Sequence, residues 1–176
     1  MKNNTLQVIL RCPKSADLLI VAGDGFNTIP DRATYKGERV DLFNLKYTLE
    51  RLNYQYEQDK NEVYVIGDSS SGEIETSINP INRLSIALRN IGYKSKAIKF
   101  ISDVLGEDIN GVKIIGENKQ NVTFNVCKID LNQAYENVYL EIRIPSCIDK
   151  AKITSSLVEV SNKYGLEYNE VSYIKN

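Results

Sequence analysis

Histidine is absent from all 176 residues, so no mechanism that uses imidazole as general base, proton shuttle or metal ligand can be completed within this chain. The three cysteines, Cys12, Cys127 and Cys147, stand far apart with no CxxC pair. That spacing removes a four-ligand zinc site and a dithiol redox motif, and the three read as reduced, mostly buried thiols. There is also no GxxxxGK[ST] loop, no GxGxxG, no HExxH and no acidic calcium loop; Gly23-Asp24-Gly25 is too short for a phosphate site and reads as a turn. Three other residues stand where polar chemistry can be built: Asn27 in Asn27-Thr28-Ile29-Pro30, Ser71 in Gly67-Asp68-Ser69-Ser70-Ser71, and Arg143 in Arg143-Ile144-Pro145. An amide donates a hydrogen bond without carrying charge. A guanidinium fork gives two parallel, charge-assisted bonds to a planar anion. Each also has an ordinary reading: an Asn forming its own turn before Pro30, a serine-rich flexible turn, and a solvated arginine on the polar face of a strand.

The elements that must carry these residues follow from periodicity. Leu6 to Arg11 and Leu18 to Ala22 are short apolar runs closed by Cys12-Pro13 and Gly23-Asp24-Gly25, and both read as strands. Asn27 falls in the glycine-flanked turn after the second run, ahead of a further candidate strand. Leu42, Leu45, Leu49 and Leu52 repeat at helical spacing and predict a helix over 40–53. Tyr54 to Asp68 reads as one extended run, with Tyr54, Tyr56 and Tyr64 at even spacing able to form a tyrosine stripe, and Ser71 lies in the loop that ends it. Asn79-Pro80 supplies an N-cap and a proline at the first helical position, followed by Ile81, Leu84, Leu88 and Ile91 on one face and a stop at Gly92. A second helical piece spans about 96–105. Val112 to Gly116, Val122 to Val126 and Val138 to Ile144 read as strands. In the last of these, Val138, Leu140, Ile142 and Ile144 share one face, and Tyr139, Glu141 and Arg143 share the other. Asp149 caps a final helix ending at Gly165, and Leu166 to Ile174 forms a last strand. This mixture predicts an α+β two-layer sandwich with helices on one side of an antiparallel sheet, and its order permits two ferredoxin-like halves, 1–106 and 107–176.

Bulk composition agrees with one folded unit. With 23 acidic and 22 basic side chains the net charge is −1, which supplies no electrostatic footprint for nucleic acid or an anionic membrane. Met1-Lys2-Asn3-Asn4 enters a strand-like run without a hydrophobic signal core, and no apolar stretch approaches the length of a membrane span. A cytoplasmic chain with no membrane partner is the expectation.

Taken in order, Asn27-Thr28-Ile29-Pro30-Asp31-Arg32-Ala33-Thr34, Gly67-Asp68-Ser69-Ser70-Ser71-Gly72 leading to Ile78-Asn79-Pro80, Leu105-Gly106-Glu107-Asp108 and Arg143-Ile144-Pro145 form a series. In that series the chain resembles the lid domain of bacterial dinuclear-zinc dipeptidases, of the aminoacylase/carboxypeptidase/dipeptidase superfamily. The likeness runs from about Leu6 to Lys175. It implies a lid that closes over a dipeptide bound in a separate catalytic domain of the same polypeptide. That domain would supply the zinc ligands and the catalytic glutamate, so no cofactor and no catalytic residue is expected in this chain. By the same resemblance Asn27, at the N-x-[IV]-P position, and Arg143, at the R-[YI]-P position, would hold the C-terminal carboxylate of the substrate. The departure is Ser71, which stands where the G-x-S-A-H pattern has a histidine donating to the developing oxyanion. Ser71 then marks a catalytically weak relative, a substrate served by another donor, or a loop shifted by a residue. The resemblance also implies an excised domain, with a naturally short relative as the alternative, and a monomer, with an edge-strand dimer as the competing state. A ferredoxin-like, small-molecule-binding regulatory module is the alternative function, since fold alone does not separate the two.

Overall fold

Alternating burial along two long strands sets the architecture. The computed structural model describes residues 2–117 and 121–176. Strands β1 (Asn3–Pro13), β2 (Ile20–Ala22), β6 (Thr123–Leu131), β7 (Tyr135–Pro145) and β8 (Glu167–Ile174) form a five-stranded sheet in the order β2-β6-β7-β1-β8, every pairing antiparallel. The spans 1–106 and 107–176 therefore share this sheet, with β1 inserted between β7 and β8. A second antiparallel sheet, in the order β3-β5-β4, is built from β3 (Arg32–Lys36), β4 (Tyr56–Asp59) and β5 (Glu62–Ile66). The fold is α+β.

One face of the five-stranded sheet is the core. Val138, Leu140, Ile142 and Ile144 of β7 are fully buried beside Leu6, Val8 and Leu10 of β1. They join one cluster with the apolar stripes of helices α2 (Pro80–Asn90), α3 (Lys96–Phe100) and α5 (Lys150–Lys163), through Leu84, Leu88, Ile98, Phe100, Ile153 and Leu157. Side-chain caps start these helices. Asn79 Oδ1 accepts from the N–H groups of Ile81 and Asn82, Ser95 Oγ accepts from that of Ile98, and Asp149 accepts from that of Ala151. The last turn of α3 widens into a π-helical turn, Ile101–Leu105. Helix α1 (Arg39–Arg51) buries Leu42, Leu45 and Leu49 against the smaller sheet. Among the described residues no helix is long and apolar enough to cross a membrane.

Two sequence expectations are corrected. The run 54–68 is not one strand but the hairpin β4–β5, because Lys60 takes a left-handed conformation (φ 54°) and reverses the chain without a glycine. The hairpin also disperses the tyrosines: Tyr54 lies under the Arg83 guanidinium, Tyr56 donates to Glu50, and Tyr64 lies under Arg32. Residues 112–116 are not a strand but the helical turn α4 (Val112–Ile115). Asp108 wins over the β-propensity of this apolar run: its carboxylate accepts from the N–H groups of Asn110 and Val112 and starts the turn, behind a left-handed Gly111.

Candidate functional site

The opposite face of the five-stranded sheet carries polar side chains that are nevertheless buried. Register places Thr5 and Thr123 beside Arg143, and Gln7 and Asn125 beside Glu141, so these six point to the same side. Gln7, Asn125 and Glu141 are all under 9% exposed, because two loops fold over them.

The first loop runs from β2 to β3 and is fastened at a bulge in β6. The register shift at Val126/Lys128 leaves Cys127 as the extra residue, and its carbonyl accepts from the Gly25 N–H at 3.4 Å. Gly23 (φ 86°) passes so close that a Cβ there would lie 2.2 Å from the same oxygen. Beyond the fastening, Phe26 packs on Tyr139, with ring centroids 5.5 Å apart. Asn125 donates its amide to the Thr28 carbonyl at 2.9 Å. Gly23→Ala therefore has to lift the loop off the sheet, and about 1–3 kcal/mol of stability is expected to be lost in chemical denaturation. Wild-type stability in this variant would contradict the fastening.

Asn27 sits at the tip of this loop with a left-handed backbone (φ 68°). Its N–H donates to Glu141 Oε2 at 2.7 Å, and its side-chain Oδ1 accepts from Gln7 Nε2 at 3.5 Å. Gln7 is itself fixed by a 2.6 Å bond accepted from Ser172. The amide is thus turned so that its Nδ2 group, with no acceptor among the described residues, is left free to donate outward.

The second loop carries the serines. Gly67 approaches Ile78 and Pro80 so closely that a Cβ would lie 2.3 Å from the Ile78 carbonyl oxygen, and Asp68 and Ile78 bond each other's backbone at 2.8 and 2.9 Å. Asp68 is held below the usual carboxylate range by the hydroxyl and N–H of Ser70. A 3₁₀ turn, Ile74–Thr76, then returns the chain toward Asn79, whose amide donates to Asn125 Oδ1 at 3.2 Å and to the Val126 carbonyl at 2.9 Å.

These segments enclose a small cleft of about 110 Å³, lined by Asn27, Thr28, Ile29, Gly72, Ile74, Asn125, Glu141 and Arg143. Asn27 and Arg143, far apart in the chain, are brought to one place. Arg143 is half-buried and makes no salt bridge or side-chain hydrogen bond to any described residue, so its guanidinium can receive an anion from outside. Ser71 is not in the cleft, although its neighbour Gly72 is at the rim. It is exposed, and its Oγ is used inside its own turn, accepting from Thr76 Oγ1 at 2.6 Å and from the Glu73 N–H at 3.2 Å. Glu141 and Asn125 belong to the cleft as much as Asn27 does. Sequence reasoning placed Glu141 on the face of Arg143 by its period of two, yet nothing local marked it as buried.

Two of the three cysteines are buried thiols with no chemistry at neutral pH. Burial, and after it the charge of Glu136, pushes the Cys12 thiol up to about 11; burial, and after it Glu141, pushes Cys127 to about 12. Both are buried and protonated at neutral pH, while Cys147 is exposed. Among the described residues no three His, Cys, Asp or Glu side chains gather, and the cleft offers amides, one guanidinium and one carboxylate.

No protein-family model matches the chain, and no curated protein matches it in sequence. Among solved structures it is similar to the aminoacylhistidine dipeptidase of Vibrio alginolyticus, with a TM-score of 0.40 and 11% identity over 97% of this chain and 44% of that one. The chain spans less than half the length of that protein.

Proposed function

We propose that this chain is the substrate-covering lid of a zinc-dependent dipeptidase, and that Asn27 and Arg143 hold the C-terminal carboxylate of the dipeptide. The observation that carries the reading is the convergence of Asn27 and Arg143 on one cleft in which the guanidinium has no anionic partner among the described residues. A half-buried arginine left without a carboxylate keeps its strongest bonding capacity for a ligand. Asn27 adds a neutral donor whose direction is set by Gln7. Zinc and the residue that activates the attacking water would lie in a catalytic domain of the same polypeptide. The lid's own contribution is to orient the substrate and exclude water on closing, which raises the rate by positioning.

The test is hydrolysis of free dipeptides by the intact polypeptide purified from its source cells with its metal. Turnover that disappears on chelation supports the reading. Saturable binding of a small ligand without any peptidase activity would favour a regulatory module instead.

Ser71 bears on the rate rather than on binding. Loss of one oxyanion donor costs on the order of 10²–10³ in turnover, and a serine held in its own turn does not replace a histidine. Slow hydrolysis is therefore expected, and Ser71→His in the intact polypeptide should raise turnover by about tenfold or more. Turnover unchanged in that variant, in single-turnover kinetics, would remove position 71 from the reaction.

A further inference from the structure

Helix α1 carries an apolar stripe on two sides, and this chain covers one of them. Leu42, Leu45 and Leu49 recur at i, i+3 and i+7 and are buried against the smaller sheet. Val40, Phe43 and Tyr47 recur at the same spacing on the opposite side and are 70%, 71% and 63% exposed. A helix that is apolar on both sides is written for packing on both, and large side chains exposed side by side mark a contact surface. Beside the stripe, α1 and the β4–β5 turn enclose an open groove of about 630 Å³, with Leu42 and Phe43 on its wall. Its charged lining is Arg39, Lys46 and Lys60 against Glu38, in a chain whose net charge is −1. None of the three cations makes an ion pair among the described residues. The neighbouring carboxylates are engaged or turned away. Asp41 accepts from Tyr93 at 3.5 Å, Glu50 accepts from Tyr56, and Glu62 pairs with Lys36. The pleat of β4 sets Glu57 and Asp59 on the side away from Gln58, which lines the groove.

We infer that this surface docks a separate protein through an acidic segment. A large apolar side chain of the partner enters the groove beside Phe43, and carboxylates flanking it meet Arg39, Lys46 and Lys60. Shape and charge select this occupant over the others. A second copy meeting the surface about a two-fold axis would set the same cations against themselves. A lipid surface is flat and would leave the groove unfilled. A segment of the same polypeptide has no diffusional encounter to speed, whereas cations around an apolar centre steer separate molecules together. The groove shares no lining residue with the cleft, so docking there stands apart from the role proposed for Arg143.

The experiment places the photoreactive residue p-benzoylphenylalanine at position 43 of the intact polypeptide in its source cells. After irradiation the adduct is read by intact mass and by the sequence of the joined peptide. The expected product is a cross-link to a different polypeptide, at a segment with several carboxylates around an apolar residue. Its yield should fall about tenfold or more in the double variant Lys46→Glu, Lys60→Glu, because both attractions become repulsions. The single variant Lys60→Glu, on the exposed turn, serves if a thermal melt shows the double one unfolded, and position 47 serves if the residue at 43 disturbs the fold. A product of twice the polypeptide's mass, a lipid adduct, an internal cross-link or no adduct at either position would overturn the proposal. So would a joined segment without acidic residues, or a yield indifferent to reversal of the lysine charge.

Discussion

Arg143→Ala in the intact polypeptide is expected to weaken binding of a free dipeptide by roughly 10- to 150-fold, the equivalent of about 1.5–3 kcal/mol for a hydrogen bond to a charged group. The loss should fall on binding and KM more than on kcat, because the group touches the carboxylate and not the scissile bond. Arg143→Lys should recover only part of it, since an ammonium keeps the charge but not the planar fork. Folding should survive, because among the described residues Arg143 has no side-chain partner to lose and its strand is held by the buried row Val138, Leu140, Ile142 and Ile144. Titration with dipeptide, alongside a thermal melt, separates the two effects. Wild-type affinity in a folded Arg143→Ala protein would remove Arg143 from the site.

The largest expected loss of stability comes from Glu136, 1% exposed at the start of β7 on the core face. Its Oε2 accepts from the N–H and hydroxyl of Ser15 at 2.9 and 2.8 Å, and its Oε1 from Ser95 Oγ at 2.8 Å and the Ala97 N–H at 3.2 Å. One carboxylate thus joins the β1–β2 loop, the first turn of α3 and the centre of the sheet. Burial pushes this carboxyl up, but the N–H groups of Ser15 and Ala97 and the hydroxyls of Ser95 and Ser15 outweigh it and hold it below the ordinary range. Glu136→Gln turns an amide donor toward donors, so about 3 kcal/mol is expected to be lost in denaturant unfolding at neutral pH. The pH dependence has a definite sign. A carboxyl depressed in the folded state gives its full stabilisation above its unfolded value of about 4.3, and loses it as pH falls through the folded value. The gap between wild type and Glu136→Gln should therefore be constant from pH 7 to pH 5 and shrink below about pH 4. A gap that widens on acidification would contradict this account of the carboxylate.

Much of this arrangement was legible from residue spacing. The caps at Asn79 and Asp149 and the leucine stripe of α1 are local, and each formed where its residues stand. The period of two in β7 separated the core row from Tyr139, Glu141 and Arg143. Long-range coverage was not legible. Glu141 and Asn125 become buried only because the Gly23–Pro30 loop is fastened to the bulge at Cys127, and a bulge leaves no mark in an alternating strand. The hairpin at Lys60 escaped notice because lysine, not glycine or asparagine, takes the left-handed position. Likewise α4 depends on Asp108 reaching forward to the Val112 N–H, which outweighs the β-branched run that follows. Of the candidate residues, Asn27 and Arg143 were named by motif and are joined by the fold, whereas Ser71 is turned into its own loop.

The most direct test of the lid reading is the intact mass of the native polypeptide, captured from its source cells with an antibody against this domain. The reading predicts a mass far above 19.9 kDa, in a protein whose additional residues carry the zinc ligands. A native mass equal to that of this chain would leave the cleft without a catalytic partner in the same polypeptide and contradict the account.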